Sequence, residues 1–77
     1  MKYLEELEVG DCFEFENSNF ITLLDYKKNG SRCCANLKTG STRWLNGDSI
    51  VDVNPIYILD KDNNIVALKE TKKQDVQ

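Results

Sequence analysis

Residues 12–37 read CFEFENSNFITLLDYKKNGSRCCANL, and this stretch decides the fold. In Cys12-Phe13-Glu14-Phe15-Glu16 the two phenylalanines alternate with Cys12, Glu14 and Glu16, the period-two pattern of a strand with one buried face. Phe13 and Phe15 are therefore expected in the core. Asn17-Ser18-Asn19 is a short turn signal, after which Phe20-Ile21-Thr22-Leu23-Leu24-Asp25-Tyr26 has strong strand propensity but apolar residues on both alternating faces. A bulge, or a second buried face in an oligomer, reconciles those side chains. Lys27-Lys28-Asn29-Gly30 supplies the next reversal, because Asn-Gly suits a tight hairpin that needs positive φ. The following strand, about 31–37, sets Cys33, Ala35 and Leu37 on one face and Arg32, Cys34 and Asn36 on the other. Antiparallel pairing of 20–26 with 31–37 follows.

Working outward, residues 2–8 can make one helical turn with Tyr3, Leu4 and Leu7 near one face, and Val9-Gly10-Asp11 changes direction. Downstream come a turn at Lys38-Thr39-Gly40, a short strand near 42–45, an Asn46-Gly47 turn and a brief strand at 50–53. Pro55 fits a strand boundary or an edge. The last pair, 56–59 and 65–68, flanks the polar loop Asp60-Lys61-Asp62-Asn63-Asn64, and both strands are apolar in both directions. The expected grouping puts Ile56, Ile58, Ile65 and Ala67 on one side and Tyr57, Leu59, Val66 and Leu68 on the other. One side would pack into the monomer. The other would meet a second subunit or a further local element, and the first of these makes a homodimer or small homo-oligomer the expectation, with Ile56, Ile58, Ile65 and Ala67 its self-association residues.

A chain of 77 residues and 8.8 kDa has room for one core. Its folded surface should be roughly 4,800 Å², with only about 60% of the unfolded surface buried. Five or six strands with frequent turns imply an all-β fold, a small partly open antiparallel barrel or curved sheet with a short N-terminal helical turn and a C-terminal hairpin. The expected organisation is a single domain over 1–70 and a frayed polar tail over 71–77. Leu7-Glu8-Val9-Gly10-Asp11, the strand holding Phe13 and Phe15, and Cys34-Ala35-Asn36-Leu37-Lys38-Thr39-Gly40 before another short strand resemble small SH3-like barrel proteins of bacteriophages. The resemblance spans roughly residues 4–59. It implies a folding pattern and transfers no functional residue.

With 40% hydrophobic and 30% charged residues the chain reads as folded, and its net charge of −3 argues against a strong whole-protein attraction to nucleic acid or anionic membrane. Charge is nonetheless uneven. Residues 1–16 hold six acids and Lys2, whereas 26–47 hold Lys27, Lys28, Arg32, Lys38 and Arg43 with no acid. No apolar run approaches membrane-spanning length and no signal-like segment opens the sequence, so neither secretion nor a membrane span is expected. Three cysteines cannot all pair within one chain, which fits a reduced cytoplasmic protein, in the host cytoplasm if phage-encoded.

Catalytic and metal motifs fail on inspection. There is no His to complete a Cys/His constellation, and adjacent Cys33-Cys34 lacks the spacer of a redox or zinc pair. Cys12 is left to pair with one of them only if the fold brings them together. Asp60-Lys61-Asp62-Asn63-Asn64 resembles the start of a calcium loop, but Ile65 stands where a glycine is needed and Thr71 where the bidentate Glu belongs. A hairpin turn is the simpler reading. No phosphate-cradling loop or nucleophile elbow occurs, so the expectation is a nonenzymatic chain without catalytic residues, metal or cofactor. The leading expectation is an interaction protein, an accessory factor or inhibitor of phage origin that occludes a host protein. The alternative is an anionic-ligand binder for a short nucleic acid or a nucleotide. In either case Tyr26, Lys27, Lys28, Arg32, Arg43 and Trp44 are the candidate ligand-binding residues, with Trp44 read first as a core anchor and second as a stacking platform.

Overall fold

A computed structural model describes residues 1–68. Its centre is a meander of four antiparallel strands. β2 (Cys12–Phe15) and β3 (Ser18–Tyr26) pair from Phe15 opposite Ser18 to Cys12 opposite Ile21, reversed by Glu16 and Asn17 at φ 52° and 64°. Two successive left-handed residues give a turn whose twist matches the flanking strands. The turn therefore sits earlier than the Asn17-Ser18-Asn19 signal indicated, and Ser18 and Asn19 belong to the strand. β3 pairs with β4 (Arg32–Asn36), Phe20 opposite Asn36 and Tyr26 opposite Arg32, with a register shift between Thr22 and Tyr26. That irregularity is the expected bulge. It leaves Leu23 half-buried and Leu24 in water. In the β3–β4 loop the Gly30 N–H donates to the Lys27 carbonyl at 2.9 Å, and Gly30 takes φ 93°, which favours a residue without Cβ. β5 (Thr42–Leu45) completes the meander against β4.

β5 lies at one edge, yet a tight turn, closed by the Ser49 N–H donating to the Asn46 carbonyl, leads to β6 (Ile50–Val53) beside β2. β1 (Lys2–Tyr3) pairs with the far side of β6, so the strand order is β1-β6-β2-β3-β4-β5. A connection this short between strands so far apart in the order requires a strongly curled sheet. The sheet is not closed. The segment after β1 spans the opening: Leu4 N–H donates to the Ser49 carbonyl at 2.8 Å, Glu5 N–H to the Gly47 carbonyl at 2.8 Å, and the buried Arg32 Nη1 to the Leu7 carbonyl at 2.8 Å. Gly47 touches the backbone of Gly30 there; a Cβ on Gly47 would overlap the Gly30 carbonyl and lie 3.0 Å from Glu5 Oε1. The helical element is a 3-10 turn at Leu4–Glu6, shorter than residues 2–8. Leu4 and Leu7 are buried as expected, but Tyr3 is exposed because it belongs to β1, opposite Ile50.

The concave side encloses Leu4, Leu7, Phe13, Phe20, Cys34, Leu45 and Val51, with Phe15 packed against them. Phe13 and Phe20 are directly opposed across β2 and β3 and stack at 5.5 Å. Burying side chains of this size is worth about 1.5–3 kcal/mol each. Thr22 is buried among them because its hydroxyl donates to the Glu8 carbonyl at 2.6 Å.

β7 (Tyr57–Leu59) and β8 (Ile65–Ala67) form a separate hairpin after Pro55. Its loop is held by Asp60, whose carboxylate accepts the N–H groups of Asp62 at 2.8 Å and Asn64 at 2.9 Å. The Asn64 bond foremost holds the Asp60 carboxyl below its ordinary range. Those acceptors serve the turn itself, as the hairpin reading requires. Register corrects the expected face grouping: Tyr57 opposes Ala67 and Leu59 opposes Ile65, while Ile58 opposes Val66. Directly opposed residues share a face, so Ile65 and Ala67 lie with Tyr57 and Leu59, and Ile56 and Ile58 lie with Val66 and Leu68. Alternation alone gives two faces per strand; only register says which joins which. The tail expected at 71–77 lies outside the described residues. Among those residues no helix is long and apolar enough to cross a membrane.

Candidate protein-binding surface

The strand pairing sorts the six candidate ligand residues. Trp44 opposes Cys33, on the convex face away from the core, and is 45% exposed. It is therefore not the core anchor the sequence favoured: the inward positions of β5 go to Leu45 and Arg43, which oppose Arg32 and Cys34. Lys27 lies at the start of the β3–β4 loop and sets its ammonium 4.6 Å from the centre of the Trp44 ring. A cation over an indole at this range is worth about 0.5–1 kcal/mol when exposed. Lys28 is exposed in the same loop, and Tyr26, 72% exposed, flanks it. Leu24, a residue not singled out by sequence, is exposed on the irregular part of the same strand. Its signal was the doubled apolar pattern of 20–26.

Two of the six are engaged elsewhere. Arg32 is buried, Nη1 held by the Leu7 carbonyl and Nε without a hydrogen-bond partner among the described residues, so its charge braces the N-terminal segment against β4 and is not offered to a ligand. Arg43 lies 5.9 Å over the Phe20 ring and 3.8 Å from the Glu16 carboxylate, covering the rim of the core toward the β2–β3 turn. Exposed pairs of that kind contribute about 0–1 kcal/mol. Lys38 is also removed from Lys27: it sits in the β4–β5 loop, where its N–H donates to Asn36 Oδ1 at 2.8 Å. The basic segment 26–47 is thus divided between opposite ends of the sheet. What the fold gathers is Lys27 over Trp44, with Lys28 in the same loop; Tyr26 opposes Arg32 and so lies on the other face of the sheet from Trp44.

A shallow cleft of ≈ 420 Å³ lies between the β2–β3 and β4–β5 turns, walled by Leu37 and Ile56 with Asn17 and Lys38 at its rim. Among the described residues lining it, Lys38 is the charged one. The cysteines are arranged for packing. None is in a disulfide. Cys12 on β2 and Cys33 or Cys34 on β4 have β3 between them, which separates their backbones by about 9–10 Å, beyond the roughly 7 Å a disulfide spans. An internal bridge is therefore ruled out without strand rearrangement. Burial, aided by neighbouring Cys33, pushes the Cys34 thiol up to about 11, against the opposing pull of Arg32 and Arg43. Among the described residues no group of three or more Cys, Asp or Glu is placed to hold a metal ion. Comparison with protein families, with curated proteins and with solved structures finds no match to this chain.

Proposed function

We propose that this chain is a nonenzymatic protein-binding module whose contact surface is the end of the sheet that carries Trp44, Lys27 and Lys28. The carrying observation is the position of Trp44: the chain has one tryptophan and leaves it half in water on the convex face, under a lysine, while smaller residues fill the core. Tryptophan and tyrosine dominate the energetics of protein interfaces because they bury much area with few rotors to fix. The two lysines and the acidic segment 1–16 give the chain a charge direction that orients a partner on approach. The resemblance of residues 4–59 to small SH3-like phage proteins supports an accessory factor or inhibitor that acts by stoichiometric occlusion of a host protein.

Affinity capture at physiological salt tests this reading. A single partner should bind at fixed stoichiometry to the wild type, be lost with Trp44→Ser and weaken with Lys27→Glu. Absence of any partner that depends on Trp44 defeats it. Of its six candidates the anionic-ligand alternative keeps Tyr26, Lys27, Lys28 and Trp44, since Arg32 is buried and Arg43 faces Glu16. Saturable, salt-sensitive binding of single-stranded RNA, duplex DNA or a nucleotide, lost on neutralising both lysines, would favour it instead.

A further inference from the structure

A two-stranded ribbon is at best marginally stable alone and needs further strands or a packing surface. β7 and β8 pair with each other, and neither packs extensively against a strand of the main sheet. The two faces of this ribbon are unequal. Ile58, Val66 and Leu68, on the side of the cleft residue Ile56, are 47%, 37% and 39% exposed, whereas Tyr57, Leu59 and Ile65 are 58%, 63% and 73% exposed. The first face leans toward its own domain and the second points away. Residues 56–59 and 65–68 contain no charge; Asp60, Lys61 and Asp62 are confined to the tip.

We propose that the outward face, Tyr57, Leu59 and Ile65, is a homodimer interface closed by the same face of a second copy. A charged partner finds nothing complementary on this face, while a like face meets nothing that repels it. The tips, each with two acids and one base, are kept apart when the ribbons lie antiparallel across a two-fold axis. That arrangement lays the base of one ribbon, Tyr57 and Ala67, over the tip of the other, Leu59 and Ile65. Ile65 then enters the dent left by the small Ala67, and Tyr57 covers Leu59. Three side chains exposed to this extent present on the order of 350 Å² per copy, about 700 Å² in all, which is the size class of weak complexes.

Sedimentation equilibrium of the full chain from about 10 μM to about 1 mM should give a monomer–dimer curve, and Ile65→Asp should raise the dissociation constant at least about tenfold with an unchanged circular dichroism spectrum. Amide shifts of the wild type over the same series provide a readout that needs no variant: they should move at 57–59 and 65–67 and stay fixed at Cys33 and Trp44. A monomer throughout, a dimer indifferent to Ile65→Asp, or shifts centred on Trp44 would each overturn the assignment. Because the interface is separate from the Trp44 surface, its failure leaves the proposed partner site standing, and the reverse holds too.

Discussion

In the curled sheet Phe13 stacks on Phe20 at 5.5 Å and is closed over by residues from the N-terminal turn, β4, β5 and β6; in the hairpin Leu59 opposes Ile65 and both remain mostly in water. The side chains are of comparable hydrophobicity. What differs is how many elements converge on them: burial needs a second layer, and a sheet supplies one only by folding over itself. Six strands can curl into two layers, and two cannot. The apolar excess of β3 shows the intermediate case, where a bulge leaves Leu24 out while Leu23 stays half-buried.

The comparison breaks most easily at Phe13. Phe13→Ala should cost about 4 kcal/mol in urea unfolding followed by Trp44 fluorescence; a loss below about 1 kcal/mol would mean that the sheet interior is no better packed than the hairpin. Gly47→Ala should follow at about 3 kcal/mol, because the new methyl meets the Gly30 backbone rather than a movable side chain. Equal stability of this variant and the wild type would show that the N-terminal bridge across the sheet opening is loose. Cys34 gives a pH test of the same interior. Its folded pKa, about 11, lies above the ordinary 9.0, so the folded state keeps a proton that the unfolded state releases. Stability is therefore full below pH 9.0 and falls as pH rises to about 11; the loss is about 3 kcal/mol, and Cys34→Ala should flatten that part of the profile. Smallest is Leu59→Ala. At low micromolar concentration it should change the urea midpoint by less than about 0.5 kcal/mol equivalent, and a larger effect would mean that the hairpin is packed on the sheet after all.

Much of this architecture could be read from residue order. Alternation at Phe13 and Phe15, the turns around Gly30 and Gly47 and the short strands at 42–45 and 50–53 are local signals, and each corresponds to an element. The face of Trp44 is not local: it depends on β5 pairing with β4 so that Trp44 opposes Cys33 and Leu45 opposes Arg32. Arg32 illustrates the same limit. Nothing beside it in sequence reveals that its guanidinium meets the Leu7 carbonyl across the sheet opening. The hairpin grouping failed for a simpler reason, since the parity that joins Leu59 to Ile65 is set by the length and geometry of the Asp60–Asn64 loop.

The order β1-β6-β2-β3-β4-β5 also sets a timetable for folding. Strands β2 to β5 meet through short reversals, and such contacts form early because little chain must be brought together. β1 has no such neighbour: Lys2 pairs with Val51, and Leu4 needs the Ser49 carbonyl. During synthesis residues 2–7 must therefore wait until 46–53 have emerged, and until then the apolar interior of the meander stands open on the side that Leu4 and Leu7 later cover. Residues 2–7 are the last part of the curled sheet to be fitted.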